Sequence, residues 1–246
     1  MPIAIFFFGH WFLSLFSQTF FLHRYAAHKM FTMDKFWERF FYLFTSITQG
    51  SSFLNPRAYA IMHRLHHAFS DTERDPHSPH YFRSMFRMMI RTKDIYIAIL
   101  LRKVSHGENF EKGIPEWKWL DKVSTWWTPR VLWGIGYSVF YLIFATHWWM
   151  FLLLPIHFIM GPIHGGIVNW FGHKLGYRNF EDTGDKSRNT LPIDFVTMGE
   201  LFQNNHHRHP NSANFAKRWF EFDPTYPLMK VLEWLRIIRM SDFRSP

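Results

Sequence analysis

Three histidines stand within five positions in the stretch HRLHH, at His63, His66 and His67. On an α-helix these positions lie at about 0°, 300° and 40° round the axis, so the three imidazoles share one narrow face. An apolar core gains nothing from such a face, because each buried imidazole needs its own hydrogen-bond partner. A metal ion gains a great deal from it. Further imidazoles stand at His23 and His28 in HRYAAH and at His206 and His207 in QNNHHRH. In NWFGH, Asn169 and His173 are four residues apart and so share a helix face. Eight imidazoles exceed what one ion can use, and two ions fit better. Imidazole suits iron, zinc or copper, and a chain without cysteine has no thiolate to decide among them. A structural zinc closes its tetrahedral shell with fewer ligands. A pair of redox-active irons with positions left open for dioxygen is the sharper reading.

The elements that carry these residues must bring four separate stretches to one side. The 246-residue chain bunches its apolar residues rather than spreading them. Met1 to Leu22 contains no charged residue, and neither does the run of 43 residues from Val131 to His173. At 1.5 Å per residue that run reaches roughly 64 Å, enough for two crossings of a ~30 Å hydrocarbon layer. It reads as a helical hairpin turning near Thr146 to Trp149, where tryptophans suit an interfacial belt. Met1 to Leu22 lacks a basic leader and a small-x-small cleavage site, so it reads as a retained span rather than a signal peptide.

Of the 28 Lys and Arg residues, 16 lie in 23–128, one is Arg130 and 11 follow residue 173. The spans and the hairpin turn carry none, which is the pattern of basic loops held on the cytoplasmic face. The net charge of +9 therefore marks membrane topology, and no nucleic-acid partner is expected because no basic stripe belongs to a reading motif. Residues 40–56 are uncharged but interrupted at Gln49-Gly50-Ser51-Ser52; a full crossing there would put the basic 57–128 stretch on the wrong side. The expected fold is an all-α integral membrane protein with about three transmembrane helices, a re-entrant or amphipathic helix, and a cytoplasmic helical cap holding a dimetal site. It is read as one domain, 1–246: a span at 1–22, the re-entrant helix at 40–56, cap at 57–128, hairpin at 129–172, and cap with a surface helix at 173–246. In that last helix Leu228, Val231, Leu232, Leu235 and Ile238 oppose a polar arc of Lys230, Glu233, Arg236 and Arg239.

HRYAAH, HRLHH and NNHH, with GPIHGGIVNWFGHK between the last two, resemble the histidine boxes of the membrane fatty-acid desaturases, in their acyl-CoA, stearoyl delta-9-like branch. The likeness runs from about residue 10 to 235. It implies that His23, His28, His63, His66, His67, His173, His206 and His207 ligate two irons, and that Asn169 reaches one through water. It implies dioxygen as co-substrate, a fatty acyl substrate carried on CoA or lipid, and electrons from ferredoxin or cytochrome b5. Arg83, Arg87, Arg91 and Lys93 could dock such an acidic carrier. DTERDPHSP also matches the family, with Asp75-Pro76-His77 shaping the loop after the second box. The chain departs from the family in three respects. Gln203 stands where the third box usually opens with a histidine, and Tyr59 stands where many members have tryptophan. The helix that precedes the first box in animal members and a fused cytochrome b5 domain are not recognised. The last departure fits a compact form in a bacterial inner membrane, with the metal site on its cytoplasmic face.

Other histidines read more plainly. His10 is expected to be a hydrogen-bonded core residue and His147 an interfacial one, while His77, His80, His106 and His209 are expected in loops. His157 and His164, seven apart, share a face of the returning helix, and His164 could line the acyl tunnel or pack behind a ligand. Asp71, Glu73 and Asp75 would ordinarily form a solvated acidic loop, but carboxylates after a ligand box can orient imidazole N–H groups. Glu200 has a similar claim, and Gln203 could bind through its oxygen. Two rival readings remain. One is a histidine-box hydroxylase of alkanes or lipids. The other is a metal transporter, whose sites should lie at mid-membrane rather than beyond the spans.

Overall fold

Every structural statement below refers to residues 1–241 of a computed structural model; the end of the expected 173–246 segment, 242–246, lies outside the described residues. The chain is helical almost throughout, with one two-stranded ribbon. Helix α1, Pro2–Phe16, runs without a break into a π-helical stretch, Ser17–Ala27. After a short strand β1, Phe31–Thr32, come α2, Lys35–Gln49, and α3, Pro56–Phe69, each opened by a side chain that accepts from the backbone. Asp34 accepts from Trp37 N–H, and Asn55 from Ala58 N–H ahead of a first-turn proline. Helices α4, Met85–Leu100, α5, Glu108–Glu111, and α6, Lys118–Ser124, lead to α7, Trp127–Phe144.

The expected hairpin has a continuous outgoing arm, α7, but a broken return. A 3-10 stretch, Trp148–Leu153, feeds α8, Leu154–Phe158, and then α9, Met160–Phe171, with a 76° bend between the arm's two parts. Pro162 is the cause: it has no N–H for the carbonyl of Phe158, and its ring would clash there. His157 and His164 therefore do not share one helix. The freed carbonyls are not wasted. Ser51 Oγ donates to the carbonyls of Phe158 and His157 at 3.0 and 3.3 Å, and Ser52 Oγ accepts from Gly161 N–H at 3.0 Å. The interruption at residues 50–52 is thus docked on the interruption at 158–161. Gly50 makes the turn possible, with φ +52° and Tyr137 Oη only 1.7 Å from where a Cβ would stand.

One helix, Pro2–Ala27, is long and apolar enough to cross a membrane, and the bent pair Trp148–Phe158 and Met160–Phe171 passes the same test as a unit. Helix α2 starts before the expected residue 40 and stops at Gly50. It buries Phe41, Tyr42 and Thr45 while leaving Phe36, Phe40, Leu43 and Ile47 exposed along one stripe. The buried rings pack with Phe20, Phe21, Phe31 and Phe202 into the largest core cluster, directly behind the first histidine pair.

After α10, Gln203–Arg208, the last helix α11, Thr225–Trp234, ends sooner than the apolar pattern suggested. Arg236 turns the chain at φ +59°. Ile238 is then buried in the core, and β2, Arg239–Met240, pairs antiparallel with β1.

Candidate metal centre

The first two histidines owe their placement to the π-helical winding. Its i→i+5 bonds, including His28 N–H to the His23 carbonyl at 3.1 Å, stack residues five apart over one another. On an α-helix the same residues would point about 140° apart. Here their ring centroids are 4.9 Å apart. Helix α3 contributes His63, His66 and His67, His173 follows the end of α9, and α10 contributes His206 and His207.

These eight imidazoles form two groups, each with ligand nitrogens within 4.8 Å of one another. His23, His28, His63, His67 and His206 make one, and His66, His173 and His207 the other. Neighbours in sequence are divided between them: His66 from His67, and His206 from His207. In the five-membered group the Nε2 atoms face each other, at 2.7 Å for His28 and His63, 3.0 Å for His23 and His206, and 2.9 Å for His67 and His206. In the other, His66 and His207 meet at 3.3 Å, and buried His173 Nε2 has no hydrogen-bond partner among the described residues. A neutral imidazole has one N–H and one lone pair, so the five converging nitrogens outnumber the donors available to them. A cation among them would take every lone pair. The donor set therefore fits a metal.

Charge and proton position agree at five of the eight imidazoles. Burial, reinforced by neighbouring imidazoles, pushes His28, His63, His67 and His206 well below the usual histidine range, so they are neutral with lone pairs free. Burial also brings His207 down to about 4, against the pull of its Asp185 hydrogen bond. At His66 burial acts the same way, but Asp75, together with Asp71 and Asp185, outweighs it and the pKa is raised.

Carboxylates hold the outer nitrogens. Each imidazole of the three-membered group has one: His66 Nδ1 meets Asp75 at 2.9 Å, His173 Nδ1 meets Asp71 at 2.8 Å, and His207 Nδ1 meets Asp185. Burial alone would raise these carboxyls; the imidazoles outweigh it and hold all three below the ordinary carboxylate range. In the five-membered group Glu200 Oε2 lies 2.5 Å from His23 Nδ1 at ion-pair distance, without hydrogen-bond alignment. Glu200 is shared with fully buried Arg24, which also pairs with Asp223 at 2.8 Å. An Nδ1–H committed to a carboxylate fixes the tautomer and aims the Nε2 lone pair inward.

Asn169 is half-buried on α9, one turn before His173. His164 is fully buried and in neither group; it stands edge-on to Trp11 with both ring nitrogens unpartnered. Gln203 turns its amide back to the Glu200 carbonyl at 2.7 Å. His77, expected in a loop, is buried at 2% exposure with neither nitrogen bonded, its ring 4.4 Å from that of His66. His10, as expected, is hydrogen-bonded inside, to His157 at 2.7 Å. Sequence reasoning missed Asp185. It lies 22 residues before its imidazole in an irregular segment, and no helical or strand period links the two.

Comparison with known proteins is consistent along most of the chain. The family model described as fatty acid desaturase matches residues 1–233. Delta-9 desaturase-like 5 protein of Arabidopsis thaliana is 31% identical over 246 residues, covering 95% of this chain and 74% of that protein. Acyl-CoA 5-desaturase AL21 of Anemone leveillei is 28% identical over 94% of this chain and 68% of its own length. The sn-1 stearoyl-lipid 9-desaturase of Anabaena variabilis is 28% identical over 89% and 77%.

Proposed function

We propose how a chain that belongs to the fatty acid desaturase family, and so is an oxidoreductase that desaturates fatty acyl chains, carries that chemistry. One iron would be held by His23, His28, His63, His67 and His206. The other would be held by His66, His173 and His207, with Asn169 placed to reach it through water. The convergence of eight imidazoles in two groups, five of them buried and three half-buried, with four backed by carboxylates, is the observation that carries this reading. When bound, the irons supply the activation of dioxygen and the removal of two hydrogens from adjacent carbons. The protein's own residues do the positioning. Asp71, Asp75 and Asp185 each hold a proton on an Nδ1 and keep the opposite nitrogen bare, while Glu200 ties His23 to buried Arg24.

Acyl-CoA and acyl-lipid desaturases among the relatives support a fatty acyl substrate on either carrier, drawn from a bilayer. Two electrons come from a carrier such as ferredoxin or cytochrome b5, docking on Arg83, Arg87, Arg91 and Lys93, all exposed. Three spans, α1, α7 and the bent α8–α9 arm, cross a bacterial inner membrane, with α2 lying against it and the imidazoles on the cytoplasmic side. The test is expression in a host lacking the unsaturated product, followed by fatty-acid analysis and iron determination. Two irons per chain and a new double bond are expected. His66→Ala, His173→Ala and His207→Ala should each abolish the product while the protein still inserts. An alcohol as product would restore the hydroxylase reading, and an active His173→Ala variant would remove that residue from the ligand set.

A further inference from the structure

The two imidazole groups are unequal, and Gln203 is where the inequality arises. Position 203 opens α10 and stands one turn before His207 on the same helix face. Its Cγ lies 2.4 Å from where a Cβ on Gly172 would be, beside His173. A side chain at 203 is thus in register with His207 and packs against the residue that precedes His173, and these are two of the three imidazoles in the smaller group. The glutamine's Nε2 donates to the Glu200 carbonyl at 2.7 Å, back along its own chain, and its amide oxygen is a weaker ligand than the imidazole nitrogen it replaces. The smaller group therefore stays at three imidazoles, while the other has five. Three protein ligands with a vacant position is the pattern of a metal that binds an exogenous molecule, whereas a fuller set is the pattern of one that does not. We propose that the metal at His66, His173 and His207 keeps an open position on the side of residue 203, and that small anions bind there. This rests on the two-iron reading above and adds which ion is open and which residue leaves it so.

One other buried imidazole competes for the vacancy. His77 is 2% exposed and neither of its ring nitrogens is bonded, so it lacks a partner of its own. It groups with His66 and Asp75 rather than with His173 and His207, which sets it on the outer, carboxylate side of the His66 ring. Its position does not close the trio.

The experiment uses the iron-loaded full chain in detergent, with azide as the exogenous anion and bipyridyl as the chelator. Azide binding is followed by absorption, and iron per chain is measured after graded chelation. The native chain should bind one azide and fall from two irons to one before it falls to none. Gln203→His should raise the chelator concentration for the first loss by about tenfold or more and weaken azide by a similar factor. Gln203→Ala should match the native chain in both, because the amide is not a ligand. The proposal is overturned if both irons leave the native chain in one step, or if Gln203→His changes neither reading. It is equally overturned if Gln203→Ala sheds the labile iron tenfold more readily, making Gln203 a ligand, or if His77→Ala does so, making His77 the fourth. Fewer than two irons per chain before any chelator is added would instead sink the two-iron reading itself.

Discussion

At the scale of single residues, carboxylates divide the two imidazole groups as sharply as the imidazole count does. Asp71, Asp75 and Asp185 surround the group of three, while the group of five has only Glu200, whose charge is shared with Arg24. A dication at the smaller group would therefore be balanced by three nearby anions, which would offset its poorer ligand set. Asp71 is the informative one to change. It sits at φ +57°, a conformation that asparagine also tolerates, so Asp71→Asn removes the charge without straining the backbone. The amide oxygen can still accept from His173 Nδ1–H, so tautomer and ring orientation persist. We expect one iron to be lost at a chelator concentration about tenfold to a hundredfold lower, with the other unaffected. Equal loss of both irons would mean that Asp71 acts on the whole fold rather than on His173.

At the scale of elements, the site depends on helices that break their own rules. The π-helical winding of Ser17–Ala27 aligns His23 with His28, and two interruptions, at 50–52 and 158–161, satisfy each other. Ser51→Ala should leave the carbonyls of His157 and Phe158 without their hydroxyl donor inside the packed structure. A loss of about 1–3 kcal/mol follows, seen as a melting temperature lower by several degrees, and Ser51→Thr should recover most of it. An unchanged melt for Ser51→Ala would show that the two breaks do not depend on each other.

These elements also mark how far the sequence could be read. The spacing of His63, His66 and His67 showed a shared face, but not that His66 would serve one group and its two neighbours the other. That division depends on which partner helix each ring meets. The spacing of five in HRYAAH had no α-helical meaning, since it acquires one only through the π-helical winding. The returning arm reads as an unbroken half of a hairpin although Pro162 lies within it, and nothing local announced that Ser51, more than a hundred residues earlier, would cap the break. Asp75 and Glu200 were within reach of the argument because each lies close in sequence to a box, and Asp185 was not.

At the scale of the whole molecule, apolar side chains are exposed where a bilayer would cover them. On α1, Ile5, Phe8 and Phe12 face outward, and on α7 Val131, Ile135, Val139 and Leu142 form a stripe at helical spacing. Contiguous exposure of this kind is rare on a soluble monomer and ordinary against lipid. The imidazoles lie at the far end of α1 from Met1, and the turn at Trp148, 77% exposed, joins the ends of α7 and the returning arm that are remote from them. If lipid covers the stripes, Trp148 and the loop around Glu73 lie on opposite sides of the membrane. The chain has no cysteine, so single cysteines can report this directly. In intact cells Trp148→Cys should react with an impermeant maleimide added outside, and Glu73→Cys should react only after permeabilisation. Glu73 is exposed, so its silence in intact cells would reflect sidedness rather than burial. Labelling of both from outside would place the imidazole groups outside with them. An electron donor from the cytoplasm could not then reach Arg83, Arg87 and Arg91, and the electrons would have to be sought across the membrane.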